Sequence, residues 1–343
     1  RDGEPSPGRG QGAVTIEMVA QLAGVSAATV SRILNSSAAV SEAKKKSVDE
    51  AVAKLGFVPN PIARGLAGGK TLSIGVLTQA VDSPFYGPAL RGIEDVLDPV
   101  GYRSLFVSGH WMAETEARCI DVLLSRRVDG IIVLTGRLSD ADLILCAKQV
   151  PVVVTGRELE APNLFAFNFD NEEGGRLATS HLIAQGHRDV AFISGDPDHP
   201  DAVQRLSGYK LALEREGIAF RPELVVQGDY TEQSGFQSVQ KLLDARQHFT
   251  AIFSANDQMA VGAAHGLMHR GLRVPDDVSL VGFDDLPTSR FAFPPLTTVR
   301  QPAYELGQLA GRAMLKLLAG DKPNLQVPAP SLICRDSCLC VTN

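Results

Sequence analysis

From Leu72 onward the chain alternates short apolar runs with longer amphipathic segments, and this alternation restricts the fold more than any other feature. The runs are LSIGVL, SLFVS, GIIVL and VVVT, then VAFIS, AIFS and SLVGF. Each is almost continuously apolar, as expected of a strand covered on both faces. Segments of helical periodicity lie between them, for example Pro88–Leu97, Glu114–Ser125, Gly174–Gln185, Val203–Glu216, Gly235–Leu243 and Met259–His269. Such alternation predicts parallel sheets joined by helical crossovers. The stretch is too long for one sheet and its second half restates the first, so two similar α/β subdomains are expected. A further helix is predicted at Tyr304–Leu318, with Leu306, Leu309, Ala310, Met314 and Leu317 along one side.

Residues 1–70 differ in kind. The opening RDGEPSPGRGQGA is rich in Pro and Gly, lacks the apolar core of a signal peptide, and is read as a disordered tail over 1–13. TIEMVAQLAGVSAATVSRILN follows, Thr15 to Asn35, with apolar residues spaced for two short helices sharing a small core. Gly24 can take the positive φ that ends the first helix, and the Ser26 hydroxyl can cap the second. The pattern reads as a helix-turn-helix whose second helix, near Ala27–Leu34, would enter a DNA major groove. Ser41–Leu55 is a third helix, stopped by Gly56 and carrying Lys44, Lys45 and Lys46 in its first turns. Then comes NPIARGL, Asn60 to Leu66: correct helix-start signals on a segment too short to be stable alone. It is expected to fold on a partner. GLAGGKT is not a phosphate loop, because Arg64 stands where the first glycine is required and the segment precedes a strand.

Charge divides the same way. Residues 1–70 hold nine Lys/Arg against six Asp/Glu (+3), and the remainder 24 against 33 (−9), for a net −6. A basic head on an acidic body suits nucleic-acid binding by the head alone. No apolar run approaches a membrane span. Five cysteines, at 119, 146, 334, 338 and 340, form no even framework, and the expected compartment is the cytoplasm.

In open parallel sheets ligands bind beyond the carboxyl ends of the strands, and between two such sheets the default site is the cleft. The polar residues directly after the apolar runs are therefore candidates: Gln79, Arg157, Asp196, Asn256, Asp257, Asp284 and Asp285. Phe85, Arg205 and Tyr230 stand at or near the starts of helical segments. Arg can fork across two oxygens, Asn and Asp can serve adjacent hydroxyls, and an aromatic ring can cover a sugar's apolar face. The ligand-binding residues expected from this reading are Gln79, Phe85, Arg157, Arg205, Tyr230, Asn256 and Asp284. Asp196, Asp198, His199 and Asp201 have metal-ligating side chains, but Pro197 and Pro200 break their spacing, so the segment is read as a solvated loop. No nucleophile elbow, metalloprotease helix or dinucleotide fingerprint is present, and no catalytic, metal or cofactor site is assigned.

The helix-turn-helix, VSEAKKKSVDEAVAKLGFVPNPIARGLAGGKT, SANDQMAVGA, VPDDVSLVGFDD, PPLTTVRQP and ICRDS together resemble the lactose-repressor (LacI/GalR) family of bacterial transcription regulators. The resemblance runs from Val14 onward. It implies an all-α helix-turn-helix head (14–59), a hinge helix and linker (60–70), and a periplasmic-binding-protein-like body (71–343). The N-subdomain would take about 71–168 plus 301–328, and the C-subdomain 169–300 plus 329–343. It implies DNA contacts from Thr15, Ser26, Ala27, Ala28, Thr29, Ser31, Arg32 and Asn35. In the hinge it implies contacts from Asn60, Ala63 and Leu66, the leucine entering a minor-groove step. Arg205, Asn256 and Asp284 fall on effector-contacting positions of the family, and Gln79 and Tyr230 align with others. The implied partners are double-stranded operator DNA, a small sugar-type effector and a second copy of the chain. No leucine heptad follows Asn324, which favours a dimer. A corepressor-dependent regulator with a purine or phosphoprotein partner, and a solute-binding protein sharing the body fold, remain as alternatives.

Overall fold

The computed structural model describes residues 14–34, 40–57 and 70–341, and the chain divides into two compact units at Leu72/Ser73. In the first unit, α1 (Ile16–Ala23), α2 (Ala27–Leu34) and α3 (Glu42–Leu55) enclose Val19, Ala20, Val30, Val48 and Ala51. Gly24 takes φ 67° and ends α1, and the Val25 N–H returns to the Ala20 carbonyl at 3.0 Å. The Ser26 hydroxyl accepts from the Thr29 N–H at 3.2 Å, as its position predicts. Thr15 and Ser41 also precede helices, but neither makes a side-chain capping bond.

The second unit contains two six-stranded sheets. The first holds β1 (Ser73–Thr78), β2 (Arg103–Ser108), β3 (Gly130–Val133), β4 (Val152–Thr155), β5 (Glu160–Ala161) and β6 (Leu164–Phe167), in the order β2-β1-β3-β4-β6-β5. The second holds β7 (Val190–Ser194), β8 (Val225–Gln227), β9 (Ala251–Ser254), β10 (Ser279–Asp284), β11 (Thr297–Arg300) and β12 (Ser331–Ile333), in the order β12-β11-β10-β9-β7-β8. Pairing is parallel except at one edge of each sheet, where β5 on β6 and β12 on β11 run antiparallel. The sheets are thus parallel as expected, each with one antiparallel edge strand: β5 is joined to β6 by a two-residue connection, whereas β12 reaches β11 only after the helix Ala303–Leu318.

The helices are α4 (Tyr86–Leu97), α5 (Ala113–Ser125), α6 (Asp140–Ala147), α7 (Asn171–Ala184), α8 (Pro200–Arg215), α9 (Glu232–Asp244), α10 (Asp257–His269) and α11 (Ala303–Leu318). The chain passes to the second sheet after β6, returns as α11 to pack on α4, β3 and β4, and ends as β12 in the second sheet. Three helix pairs cross closely, and each uses a glycine from both partners. Gly92 of α4 lies under the Tyr304 carbonyl and Gly307 of α11 under that of Ala89. Gly175 and Gly208 do the same for α7 and α8, and Gly235 and Gly262 for α9 and α10. A side chain at any of them would overlap a backbone oxygen of the other helix. Several of these crossings fall in the first turns, so the helix N-termini are gathered in pairs at the carboxyl ends of the strands.

Candidate functional site

The head offers one polar helix face. On α2, Ala28 and Arg32 are exposed and four residues apart, one turn along the same side. Arg32 Nε donates to the Ala28 carbonyl at 3.2 Å, which lays the guanidinium along the helix. Ser26 and Thr15 are exposed, Thr29 and Ser31 half-buried, and Ala27 is packed against the head's own core. Lys44, Lys45 and Lys46 are exposed on α3. Asn35, Asn60, Ala63 and Leu66 lie outside the described residues.

In the body, a buried polar cluster forms where the second sheet meets the crossovers. The Arg205 guanidinium, 4% exposed, donates through Nε to Asn171 Oδ1 (2.9 Å), through Nη2 to Gln301 Oε1 (3.1 Å), and through Nη1 to the Ala255 carbonyl. It lies 3.8 Å over the Phe283 ring and 4.0 Å from Asp284 Oδ1. Burial pushes the Asp284 carboxyl well above the usual carboxylate range, with the Arg205 cation pulling the other way. Asp284 also holds φ 114°, a conformation costly for a side-chain-bearing residue and typical of strained sites. Asn256 caps α10, accepting from the Met259 N–H (2.9 Å) and donating to the Tyr230 carbonyl (3.0 Å). Burial raises the Tyr230 phenol, and its OH has no partner among the described residues. The same is true of Asp201 Oδ1.

Beside this cluster is a partly open cavity lined by Phe85, Tyr86, Phe167, Phe169, Asn171, Asp201, Gln301 and Leu306, among others. Of the sequence candidates, Phe85 faces the cavity, while Arg205, Tyr230, Asn256 and Asp284 belong to the buried cluster. Arg205 reaches the cavity through its bonds to Asn171 and Gln301. Gln79 and Arg157 are placed differently. Gln79 is fully buried and both ends of its amide are occupied, donating to the Thr135 carbonyl (3.0 Å) and accepting from the Trp111 N–H (2.8 Å). Arg157 donates to the carbonyls of Gly136 (2.9 Å) and Leu138 (2.8 Å) and pairs with Asp140. Both hold loops at the strand ends.

Sequence reasoning missed Tyr86, Asn171, Asp201 and Gln301, because they open helices or lie in crossovers rather than directly after an apolar run. The segment Asp196–Asp201 is a solvated loop only in part: Pro197, Asp198 and Pro200 are exposed, but one residue turns inward. His199 is buried and caps α8, its Nδ1 accepting from the Asp201 N–H at 3.2 Å, and burial lowers its pKa below the usual value. Among the described residues no cluster of His, Cys, Asp and Glu could hold a metal ion, and no helix is long and apolar enough to cross a membrane.

Residues 15–60 match the bacterial regulatory proteins of the lacI family, and residues 179–338 match the periplasmic binding protein-like domain. Catabolite control protein A of Priestia megaterium is 37% identical over 307 residues, which cover 89% of this chain and 92% of that protein. The chain belongs to the LacI family. It is accordingly a DNA-binding transcriptional regulator and not an enzyme. Among solved structures, the lac repressor dimer bound to operator and the anti-inducer ONPF is similar at a TM-score of 0.85 and 33% identity, covering 96% of this chain and all of that one. The complex of the transcriptional regulator CelR with cellobiose is similar at 0.71 and 34%, covering 94% and 99%. Within this LacI-family fold, helix-turn-helix and cleft carry the polar constellations described above.

Proposed function

We propose that this LacI-family chain is a repressor that leaves its operator when a small sugar-type effector enters the cleft of the body. The observation that carries the reading is the buried polar cluster at Arg205. It contains a cation, a carboxyl, two amides and aromatic faces, and the unpartnered Tyr230 OH and Asp201 Oδ1 adjoin it. Buried polar atoms without partners are costly, and ligand hydroxyls would satisfy them. The CelR relative is described with cellobiose, which agrees with this chemistry. The test is a thermal-shift screen of monosaccharides, disaccharides and nucleobases, followed by operator titration with any ligand that raises Tm. Release of the operator is expected. A ligand that instead tightens operator binding would make the protein a corepressor-dependent regulator and overturn the reading.

On the DNA side, α2 enters the major groove with Ala28 and Arg32 toward the bases. Alanine can offer only a methyl contact, so direct base reading rests on Arg32 forking onto guanine. Arg32→Ala is expected to cost about 1–3 kcal/mol and to relax preference at one base pair per half-site. Competition binding against a set of single-base operator variants measures this, and equal weakening on every sequence would make Arg32 a phosphate contact instead. The protein works in the compartment that holds the DNA, the cytoplasm.

The operative form is a homodimer. Phe293 is 100% and Phe291 82% exposed, in the segment following β10. That segment is tied to α10 by the Asp257 carboxylate, which accepts from the Ser289 hydroxyl and the Leu286 N–H. α10 itself exposes Val261 and Met268, two turns apart on one side. Apolar surface left in water is the usual mark of an interface. Replacing Phe291 and Phe293 together by serine should produce folded monomers by sedimentation, with operator affinity reduced because two half-sites are no longer held by one particle. A double variant that remains dimeric would place the interface elsewhere.

A further inference from the structure

The two halves of the body are joined across the cleft by side chains that the effector reading does not use. After β2, His110 and Trp111 both hold positive φ, 54° and 57°. Side-chain-bearing residues adopt this conformation only when their surroundings impose it. Here three bonds impose it: Gly109 N–H to the Thr78 carbonyl (2.8 Å), His110 N–H to the Gln79 carbonyl (3.1 Å) and Trp111 N–H to Gln79 Oε1 (2.8 Å). The turn presents the indole to His199 on the other half, with ring centroids 4.1 Å apart and planes tilted by 57°. His199 is fixed by its capping bond to the Asp201 N–H and meets the Tyr230 ring at 5.5 Å.

A second bridge starts after β3. The fully buried Glu116 carboxylate accepts from the Arg137 N–H (2.8 and 3.0 Å) and the Leu138 N–H (2.9 Å). Arg137 thus leaves the first sheet in a set direction, and its Nη2 donates to Asp196 Oδ2 at 2.7 Å, with Asp198 at 3.8 Å. Arg137 and Asp196 keep 33% and 39% of their side-chain surface, so this bridge lies toward solvent while Arg205 and Asp284 lie deeper.

We propose that Trp111 on His199 and Arg137 on Asp196 form a two-point latch that holds the body closed before any effector arrives. The inference rests on the cleft being the effector site, whose regulation the latch provides. Both contacts join residues of different halves, so they exist only while the halves are together. They therefore bias the closed state, and a ligand that binds one state better must work with or against that bias. Gln79 and Glu116 are positioning residues for the latch, because each fixes the backbone of one latch residue through its buried polar head. Neither latch point is a strong interaction alone, which suits a switch that a small molecule has to operate.

The experiment uses the full chain without effector or operator. Spin labels on ketone side chains introduced at the exposed positions 121 and 241, one on each half, report the separation of the halves as a distance distribution. Trp111 is the chain's only tryptophan, so its emission and acrylamide quenching report the first latch point separately. With the labelled chain diluted in an excess of the same chain unlabelled, so that each dimer carries one labelled copy, the unaltered latch should give a single short distance and a shielded indole. Arg137→Gln with Trp111→Leu should add a second, longer distance, and Arg137→Gln alone should increase quenching of Trp111. The charge exchange Arg137→Asp with Asp196→Arg should return both readouts toward their starting values, which a merely structural role for Arg137 would not allow. An unchanged distance distribution in the double variant, or no recovery in the exchange, overturns the latch. Because no sugar is involved, failure of the effector reading would appear in the ligand screen and not here.

Discussion

Arg205→Met should abolish the effector response and destabilise the body by about 3–5 kcal/mol, the usual cost of removing one partner from a buried charged group. Methionine roughly fills the space but donates nothing. The Ala255 carbonyl, Asn171 Oδ1 and Gln301 Oε1 each lose a donor, and being acceptors they cannot satisfy one another. Asp284 loses the cation that opposes the effect of burial, so its carboxyl is held protonated to still higher pH. Arg205→Lys should not restore function, since one ammonium cannot reach three acceptors placed for a planar fork. Urea unfolding of each variant gives the stability change, and operator titration with the identified sugar gives the response. A variant within 1 kcal/mol of the parent that still responded would remove Arg205 from the site and leave the cluster a packing feature.

Gly208→Ala should destabilise the body by about 1–3 kcal/mol, the cost of overfilling a packed site. Helix propensity argues for the opposite sign, because alanine in place of a helical glycine is worth up to about 1 kcal/mol. The structure decides between them. A Cβ at Gly208 would overlap the Glu172 carbonyl oxygen and lie 2.6 Å from the Arg176 N–H nitrogen, and backbone cannot swing aside as a long side chain can. α8 would have to lift from α7, which lengthens the 2.9 Å bond between Arg205 and Asn171 and should weaken effector binding with stability. Gly87→Ala on α4 is the matched control, because a Cβ there meets nothing within 4 Å and only propensity acts. Thermal unfolding of the two variants should shift Tm in opposite directions. A rise in both would mean that the close crossing of α7 and α8 relaxes without cost.

What the sequence determined by itself is local. Gly24 and Ser26 end one head helix and start the next through bonds within five residues of chain, so residue type and spacing were enough. The apolar runs located most of the strands for a similar reason: a strand buried on both faces has no choice of side chain. The helix starts were less legible. Periodicity placed them at Gly174, Val203, Gly235 and Met259, whereas α7 to α10 begin at Asn171, Pro200, Glu232 and Asp257. The first turn of each carries capping and polar groups in place of the apolar stripe, and those turns are where much of the cleft is built. α6 carries little periodic signal, being eight residues long with two aspartates in its first turn.

Tertiary structure alone decided which polar residues are available to a ligand. Gln79, Arg157 and Arg205 are equally suited by type, and all three follow from the same rule about strand ends or helix starts. Gln79 and Arg157 bond loop carbonyls from their own half of the body, whereas Arg205 gathers Asn171, Gln301 and Asp284 from distant parts of the chain. Strand order, the antiparallel edges, the glycine crossings and the meeting of Trp111 with His199 are of the same kind. Each depends on which segments touch, and contacts between residues far apart in the chain leave no periodic mark in either one. A cap is visible in a sequence because both partners lie within a turn of each other; a cluster assembled from two crossovers and the ends of several strands becomes visible only when the chain has folded.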